Sequence, residues 1–234
     1  MFKFNLSTTT TKKVKNKKIY LPWVEKYRPK KLKDIILNKI IKNKIDNFIK
    51  KKEISNMIIT GYSGTGKTST ILCLALSIYK KHYKNAIMEL NASNDRGLNT
   101  INNSIIHFSK KKVDLPDNLY KLIILDEADN ITIKAQHNLI NLMDKYDNTL
   151  KIVFTCNNHS KLIEGIQSRC LILKYNKASN KDIKKRIINI CKLENIEYTE
   201  KGIDTIVSLC DGDIRKCINF LESTYYGFNK ITSE

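Results

Sequence analysis

The chain has 234 residues, a hydrophobic content of 41% and a formal net charge of +19 at pH 7. This length allows one full hydrophobic core and a small second domain. No stretch approaches the roughly 18 consecutive apolar residues that span a bilayer, and the N-terminus lacks the apolar region of a signal peptide, so we expect neither membrane insertion nor secretion. The excess of positive charge favours a polyanionic partner, although a solvated lysine-rich surface has the same composition.

The six cysteines are scattered without any C-x-x-C pair. This spacing indicates neither a zinc site nor a disulfide framework, so the cysteines are expected to be small buried apolar residues in a reducing compartment. Residues 1–52 carry 17 Lys and Arg against 3 Asp and Glu, a net charge of +14. Residues 1–18 are polar, basic and aperiodic, and they predict a flexible basic arm.

Residues 19–176 have the pattern of an α/β domain. The segment 21–29 contains Pro22 and Pro29 and is predicted to be extended rather than helical. Apolar residues at helical spacing between 35 and 49 predict one or two amphipathic helices. Apolar runs then alternate with helical patterns, which favours a parallel sheet covered on both faces. Strands are predicted at 57–60, 86–90, 121–129, 150–157 and 170–175, and helices at 67–83, 100–111 and 134–146.

Residues 177–234 show only helical patterns, near 179–193, 199–210 and 213–226. No strand pattern follows Tyr175. The sequence therefore predicts a small all-helical lid domain after the α/β domain.

Residues 61–69, "GYSGTGKTS", match the phosphate-loop pattern G-x-x-x-x-G-K-[ST] between a strand and a helix. Glycines let backbone N–H groups turn toward phosphates, and the helix N-terminus adds positive potential. Lys67 would neutralise the outer phosphates in binding and catalysis, while the Thr68 hydroxyl would ligate Mg²⁺. The candidate nucleotide-binding residues are Gly61, Ser63, Gly64, Thr65, Gly66, Lys67, Thr68 and Ser69.

Acidic residues end the predicted strand "LIILDEAD". Ligands of α/β sheets bind at the carboxyl ends of the strands, so Asp126 is predicted to hold Mg²⁺ and Glu127 to orient and deprotonate the attacking water. Asn157 ends the next strand, "FTCN", and would orient the water or the γ-phosphate; as an isolated asparagine it would be a turn residue.

Seven motifs in order resemble those of the small subunits of replication factor C, the sliding-clamp loader of the AAA+ ATPases. They are "LPWVEKYRP", "GTGKTS", "ELNASNDRGL", "LDEAD", the "AQ" at 135–136, "CN…K…IQSRC" and "GDIRKCIN", and they extend from residue 21 to residue 219. The resemblance implies an ATPase that uses ATP and Mg²⁺ to load the clamp in DNA replication.

The resemblance also assigns four further residues. Tyr27 and Arg28 would lie against the adenine side of ATP. Arg215 of "GDIR" would be the lid sensor that reaches the γ-phosphate, and Arg169 of "SRC" would be an arginine finger acting in trans on a neighbouring subunit. The implied partners are other clamp-loader subunits in a hetero-oligomer, expected to be pentameric, the sliding clamp and primer–template DNA, with no membrane. The implied location is the nucleus or a cytoplasmic replication site.

The chain departs from the family pattern at surfaces rather than at the chemistry. Tyr62 and Ser63 replace a Pro-Pro pair. Where the family carries basic residues that track DNA, this chain has Asn102, Ser104 and Ile106. Where the family has paired arginines, it has Ile140 and Asn141, and Gly165 replaces a proline. The C-terminal collar domain of the family is expected to be absent. These features leave open a truncated fragment, a chain completed by a separate polypeptide, or a divergent non-loading adaptor that binds ATP and partner subunits.

Overall fold

The computed structural model describes residues 20–93, 98–116 and 119–232. The predicted basic arm, residues 1–18, lies outside this range, as do residues 94–97 of the "NASNDRGL" motif and the side chain of Asn102. No helix in the described ranges is long and apolar enough to cross a membrane.

A five-stranded sheet forms the centre of the α/β domain, with strand order β2-β3-β4-β1-β5 and every neighbouring pair parallel. Its strands are almost continuously apolar because helices cover both faces. All the predicted strands are confirmed, with small shifts at their ends. The strands are β1 (Met57–Gly61), β2 (Ile87–Asn91), β3 (Lys121–Asp126), β4 (Leu150–Cys156) and β5 (Leu171–Tyr175).

Helices cover the sheet in two layers. The helices between residues 39 and 86 pack with one side of the sheet in one buried cluster, and those between residues 98 and 167 pack with the other side in a second cluster. The helical spacing of apolar residues begins at residue 35, but the first of these helices begins only after Asn38. Asn38 is its N-cap, because the Asn38 side chain accepts a hydrogen bond from the Ile41 N–H at 2.8 Å. The helices are α2 (Lys39–Lys51), α3 (Lys67–Tyr79), α4 (Tyr83–Ala86), α5 (Leu98–Lys110), α6 (Ile133–Lys145) and α7 (Glu164–Gln167).

Three helices form the lid, namely α8 (Asn180–Glu194), α9 (Glu200–Cys210) and α10 (Ile214–Phe228). Each begins at a residue whose side chain accepts a hydrogen bond from the first turn: Ser179, Thr199 and Asp213. Their apolar faces meet in a third buried cluster, separate from the two around the sheet. The predicted architecture, an α/β domain with a parallel sheet followed by a helical lid, is confirmed.

Two short strands also occur in the lid, so the prediction that no strand follows Tyr175 is wrong. Strands β6 (Glu197–Tyr198) and β7 (Lys230–Ile231) form a parallel pair. This pair connects the segment between α8 and α9 to the residues that follow α10. Two residues are too few to show an alternating pattern, and Ile231 is fully buried in the lid cluster.

The prediction that the segment 21–29 is extended is wrong in part. Trp23–Lys26 form a single helical turn, α1, immediately after Pro22. Proline is tolerated before the first turn because the N–H that it lacks would have no partner inside the helix. Trp23, with 3% of its surface exposed, packs in the lid cluster rather than against the sheet. By its packing, this first segment therefore belongs with the lid.

Because Trp23 is the single tryptophan, its fluorescence reports on the lid core. Ile187 is fully buried in the same cluster, so Ile187→Ala should lower the free energy of unfolding by about 2–5 kcal/mol through lost burial and a residual cavity. Urea titration followed by Trp23 emission measures this. On the same helix Leu193 is 60% exposed, and Leu193→Ala should change the value by no more than about 0.5 kcal/mol. Equal losses for both variants would contradict the assignment.

Candidate nucleotide site at the carboxyl edge of the sheet

The phosphate loop leaves β1 at Gly61 and enters α3 at Lys67. Gly64 and Gly66 have φ angles of 67° and 87°, in the left-handed region that only glycine adopts without strain. The loop thus turns sharply into the N-terminus of a 13-residue helix, where unpaired N–H groups and the helix dipole favour an anion.

Lys67 crosses this loop. Its ammonium donates hydrogen bonds to the carbonyl oxygens of Gly61 and Tyr62, both at 2.8 Å, and to Asn157 Oδ1 at 2.9 Å. Burial lowers the pKa of Lys67 from its ordinary value, and the positive charge of Arg215 acts in the same direction. The structure therefore brings the predicted loop lysine, the β4 asparagine and the lid arginine to one place.

Asp126 lies at the end of β3, beside the loop. The Thr68 hydroxyl donates to the two Asp126 carboxylate oxygens at 3.0 and 3.1 Å, and the Thr155 hydroxyl of β4 donates to the same carboxylate. A hydroxyl and a carboxylate oxygen at this spacing fit Mg²⁺, which takes few protein ligands in phosphate sites and fills its octahedron with phosphate and water oxygens. Within the residues that the structure describes, no group of three or more His, Cys, Asp or Glu side chains is arranged so that it could hold a metal ion.

Glu127 has a backbone conformation that is uncommon for its type, with φ 54° and ψ 41°. Its N–H donates to Asp126 Oδ1 at 3.1 Å, and Asn130 Nδ2 donates to Glu127 Oε2 at 3.4 Å. Left-handed backbone at a residue with a Cβ is strained and recurs at functional sites. The strained turn exposes the carboxylate in the cleft, next to Asp126.

The opposite wall of the cleft comes from the first segment and the lid. Tyr27, Arg28 and Arg215 all line it, together with the loop residues. The Tyr27 hydroxyl donates to Glu194 Oε1 at 2.6 Å, and burial followed by this hydrogen bond raises the pKa of Tyr27 above its ordinary value. Tyr27 and Arg28 thus line the same cleft as the phosphate loop.

The sequence analysis missed several cleft residues, among them Arg186, Thr155 and Asp129. Arg186 of α8 lines the cleft and donates from Nη2 to the Tyr27 carbonyl at 2.7 Å, and Thr155 and Asp129 line it beside Asp126. Arg186 lies in the helix pattern "NKDIKKRIINICKLE", where one more basic residue carries no signal. The sequence did not single out Thr155 either, because it lies inside the mostly apolar strand β4 and has the pattern of a core residue.

Two contacts join the phosphate loop to the lid. A Cβ added at Gly64 would lie 1.8 Å from Asp213 Oδ1, so the loop backbone lies directly against the residue that caps α10. Nearby, the Lys177 ammonium lies 4.9 Å from the centroid of the Tyr62 ring and forms an ion pair with Asp211 at 2.5 Å. The lid therefore touches the phosphate loop at both of these points.

Arg169 is separated from this cleft. It follows α7 and forms a bidentate ion pair with Asp144 of α6, with Nε–Oδ1 and Nη2–Oδ2 distances of 2.7 and 2.9 Å. Its Nη1 also donates to the Gly165 carbonyl at 3.0 Å. Hydrogen bonding to Arg169 lowers the pKa of the Asp144 carboxyl. Arg169 is among the exposed residues and is not part of the wall of its own chain's cleft.

Comparison with known proteins agrees with this geometry. The family described as "ATPase family associated with various cellular activities (AAA)" matches residues 57–177. The chain is 43% identical over 216 residues to replication factor C subunit 4 of Saccharomyces cerevisiae, covering 92% of this chain and 67% of that protein. The chain belongs to the replication factor C small-subunit family of AAA ATPases.

Other relatives have the same extent of match. Replication factor C subunit 4 of Schizosaccharomyces pombe is 42% identical, with 92% of this chain and 63% of the relative covered. The replication factor C small subunit of Methanothermobacter thermautotrophicus is 41% identical, with 90% and 65% covered. The chain thus spans about two thirds of the length of these relatives.

Among solved structures, the RuvB Holliday junction branch migration motor of Thermotoga maritima has a TM-score of 0.68 at 16% identity, covering 89% of this chain and 69% of that one. At this identity the likeness concerns the fold alone. It extends beyond the residues matched by the AAA family and so includes most of the lid.

Gly165 and Ile140, two positions at which we expect departures from the replication factor C pattern, lie side by side. A Cβ added at Gly165 would lie 2.4 Å from Ile140 Cδ1. Ile140 is partly buried against the cluster around α6 and α7. The isoleucine therefore occupies the space that a larger residue at position 165 would need, close to the carbonyl that holds Arg169.

The contact between loop and lid provides a test of the site. Gly64→Ala adds a methyl group that collides with Asp213 and strains a left-handed backbone, so we expect ATP affinity to fall by more than about tenfold, the effect of a 1.4 kcal/mol loss. Isothermal titration calorimetry measures the affinity. Gly227→Ala is the matched control, since nothing lies within 4 Å of an added Cβ there. Unchanged affinity in Gly64→Ala would contradict the proposed path of the loop around the phosphates.

Proposed function

We propose that this chain binds and hydrolyses ATP as a subunit of a DNA sliding-clamp loader of the replication factor C type. The observation that carries the proposal is the convergence of Lys67, Asp126 and Asn157, from three adjacent strand ends, with Arg215 of the lid. The named relatives support the clamp-loading context, because several are replication factor C subunits that match over 90–92% of this chain.

Each residue of the cleft has a role in this proposal. The loop N–H groups, the α3 N-terminus and Lys67 bind the triphosphate, and Gly61, Ser63, Thr65 and Ser69 shape the loop. Thr68 and Asp126 hold Mg²⁺, which when bound neutralises charge between the outer phosphates.

Hydrolysis needs a positioned water more than covalent chemistry from the protein. The exposed Glu127 carboxylate accepts the proton of the attacking water and aligns it. Asn157, whose amide oxygen already accepts from Lys67 at 2.9 Å, fixes the lysine and presents its amide N–H₂ toward the γ-phosphate position. Arg215 adds positive charge from the lid, so that lid angle and nucleotide state depend on each other.

The proposed assembly is a hetero-oligomer with other clamp-loader subunits, pentameric in form, that engages a sliding clamp and primer–template DNA at the nuclear or cytoplasmic site of replication. Its support is the family membership together with Arg169, an exposed arginine that its own nucleotide cleft does not use. Such an arginine can complete the site of a neighbouring subunit by stabilising charge on the transferring phosphoryl group.

Two substitutions separate binding from hydrolysis. Lys67→Ala should abolish ATP binding, because the phosphates lose their half-buried cationic partner. Glu127→Gln should keep ATP binding and reduce hydrolysis by about 10²- to 10⁴-fold, the usual contribution of a general base. Calorimetry and phosphate release measure the two effects. Lys134→Ala, an exposed lysine on α6, should change neither. Hydrolysis that persists in Lys67→Ala would refute the assignment of the site.

The role of Arg169 is tested in the assembled complex. Arg169→Ala should leave ATP binding by this chain unchanged and slow hydrolysis at the neighbouring site by about 10³- to 10⁵-fold, the range measured for arginine fingers. Single-turnover hydrolysis, with the other sites inactivated, identifies the affected subunit. Lys161→Ala removes an exposed cation nearby and serves as the control. A loss of this chain's own ATP affinity in Arg169→Ala would count against action in trans.

A further inference from the structure

Glu222 is a buried carboxylate in the middle of α10, with 9% of its surface exposed. It accepts hydrogen bonds from the Tyr20 hydroxyl and from the Trp23 backbone N–H, the latter at 3.1 Å. That N–H begins the single turn α1 and has no partner within the turn. A buried carboxylate is costly unless it is hydrogen-bonded, so this carboxylate and the first segment of the chain depend on each other.

Apolar and polar contacts extend the attachment along the segment. The Trp23 ring stacks on the Tyr225 ring of α10, with centroids 5.5 Å apart and an angle of 29° between the planes. Farther along, Arg186 of α8 donates to the Tyr27 carbonyl, and Glu194 accepts from the Tyr27 hydroxyl. The segment is therefore fixed to the lid at several points before it reaches the cleft.

The same helix also reaches the phosphate side of the cleft. Arg215, seven residues before Glu222, is two turns away on α10 and lines the cleft. One helix thus holds Arg215 near its N-terminus, on the phosphate side of the cleft. Through Glu222 the same helix also binds the segment that contains Tyr27 and Arg28.

We infer that Glu222 is a positioning residue for base recognition: it holds residues 20–28 on the lid, so that the base-side wall of the cleft moves with α10. The inference rests on the proposed nucleotide site and adds that different parts of the chain bind the phosphates and the base. Phosphates are bound by the α/β domain, whereas the base is bound by a segment that follows the lid although it comes first in the chain.

The test compares a ligand with a base and one without. Glu222→Gln keeps the shape of the side chain but leaves one acceptor oxygen and no charge for two donors. We expect ATP affinity to fall about tenfold, as for the loss of one hydrogen bond to a charged group. The affinity for inorganic tripolyphosphate should remain within about twofold of the wild-type value, because the phosphate loop is untouched. Calorimetry with each ligand, with Mg²⁺ present, gives both numbers.

Two further variants make the result interpretable. Tyr20→Phe removes one of the two donors from an exposed ring and should weaken ATP binding in the same direction by a smaller factor, without affecting tripolyphosphate. Ser223→Ala changes the exposed neighbour on α10 and should affect neither ligand. If Glu222→Gln does not fold, Tyr20→Phe decides the question.

Equal losses of affinity for ATP and tripolyphosphate would overturn the inference, since Glu222 would then only stabilise the lid. Unchanged ATP affinity in both Glu222→Gln and Tyr20→Phe would overturn it as well. A wild-type chain that binds neither ligand would instead overturn the proposed nucleotide site. Lys67→Ala, which should bind neither ligand, is the negative control for that result.

Discussion

The parallel pairing of β1 with β4 and of β4 with β3 is the constraint on which the site depends. Because the three strands run in the same direction and lie side by side, their carboxyl ends meet at one edge. Residues 90 and 58 positions apart in sequence thereby come within hydrogen-bond distance, namely Lys67 with Asn157 and Thr68 with Asp126. Burial of both faces of the sheet keeps this edge rigid, so the polar groups are positioned before any ligand arrives.

The second half of the site depends on a different kind of packing. The lid contributes no strand to the sheet, and it contacts the phosphate loop through Asp213 against Gly64 and through Lys177 over Tyr62. These contacts are polar or small, whereas the lid's own core is apolar and closed. An interface of this kind buries little apolar surface, and in the proposed function it would allow the lid to change its angle with the nucleotide state.

The sheet, the phosphate loop and the acidic strand end could be predicted from sequence because each is a local signal. A glycine-rich turn, a continuous apolar run and a terminal carboxylate need no knowledge of distant residues. Where the signal is short or long-range, prediction failed. The turn at Trp23, the two-residue strands of the lid and the cleft position of Arg186 all depend on partners far away in the chain. Similarly, the sequence could single out Arg169 by its motif but could not show that Asp144 holds it.

The contact between Gly165 and Ile140 has a consequence for the surface beside Arg169. A Cβ added at position 165 meets the Cδ1 end of the Ile140 side chain, so this isoleucine has to move before a larger residue fits there. Substitutions at the two positions are therefore expected to be non-additive, because each changes the space available to the other. The two residues act as one coupled unit beside the carbonyl that holds the arginine.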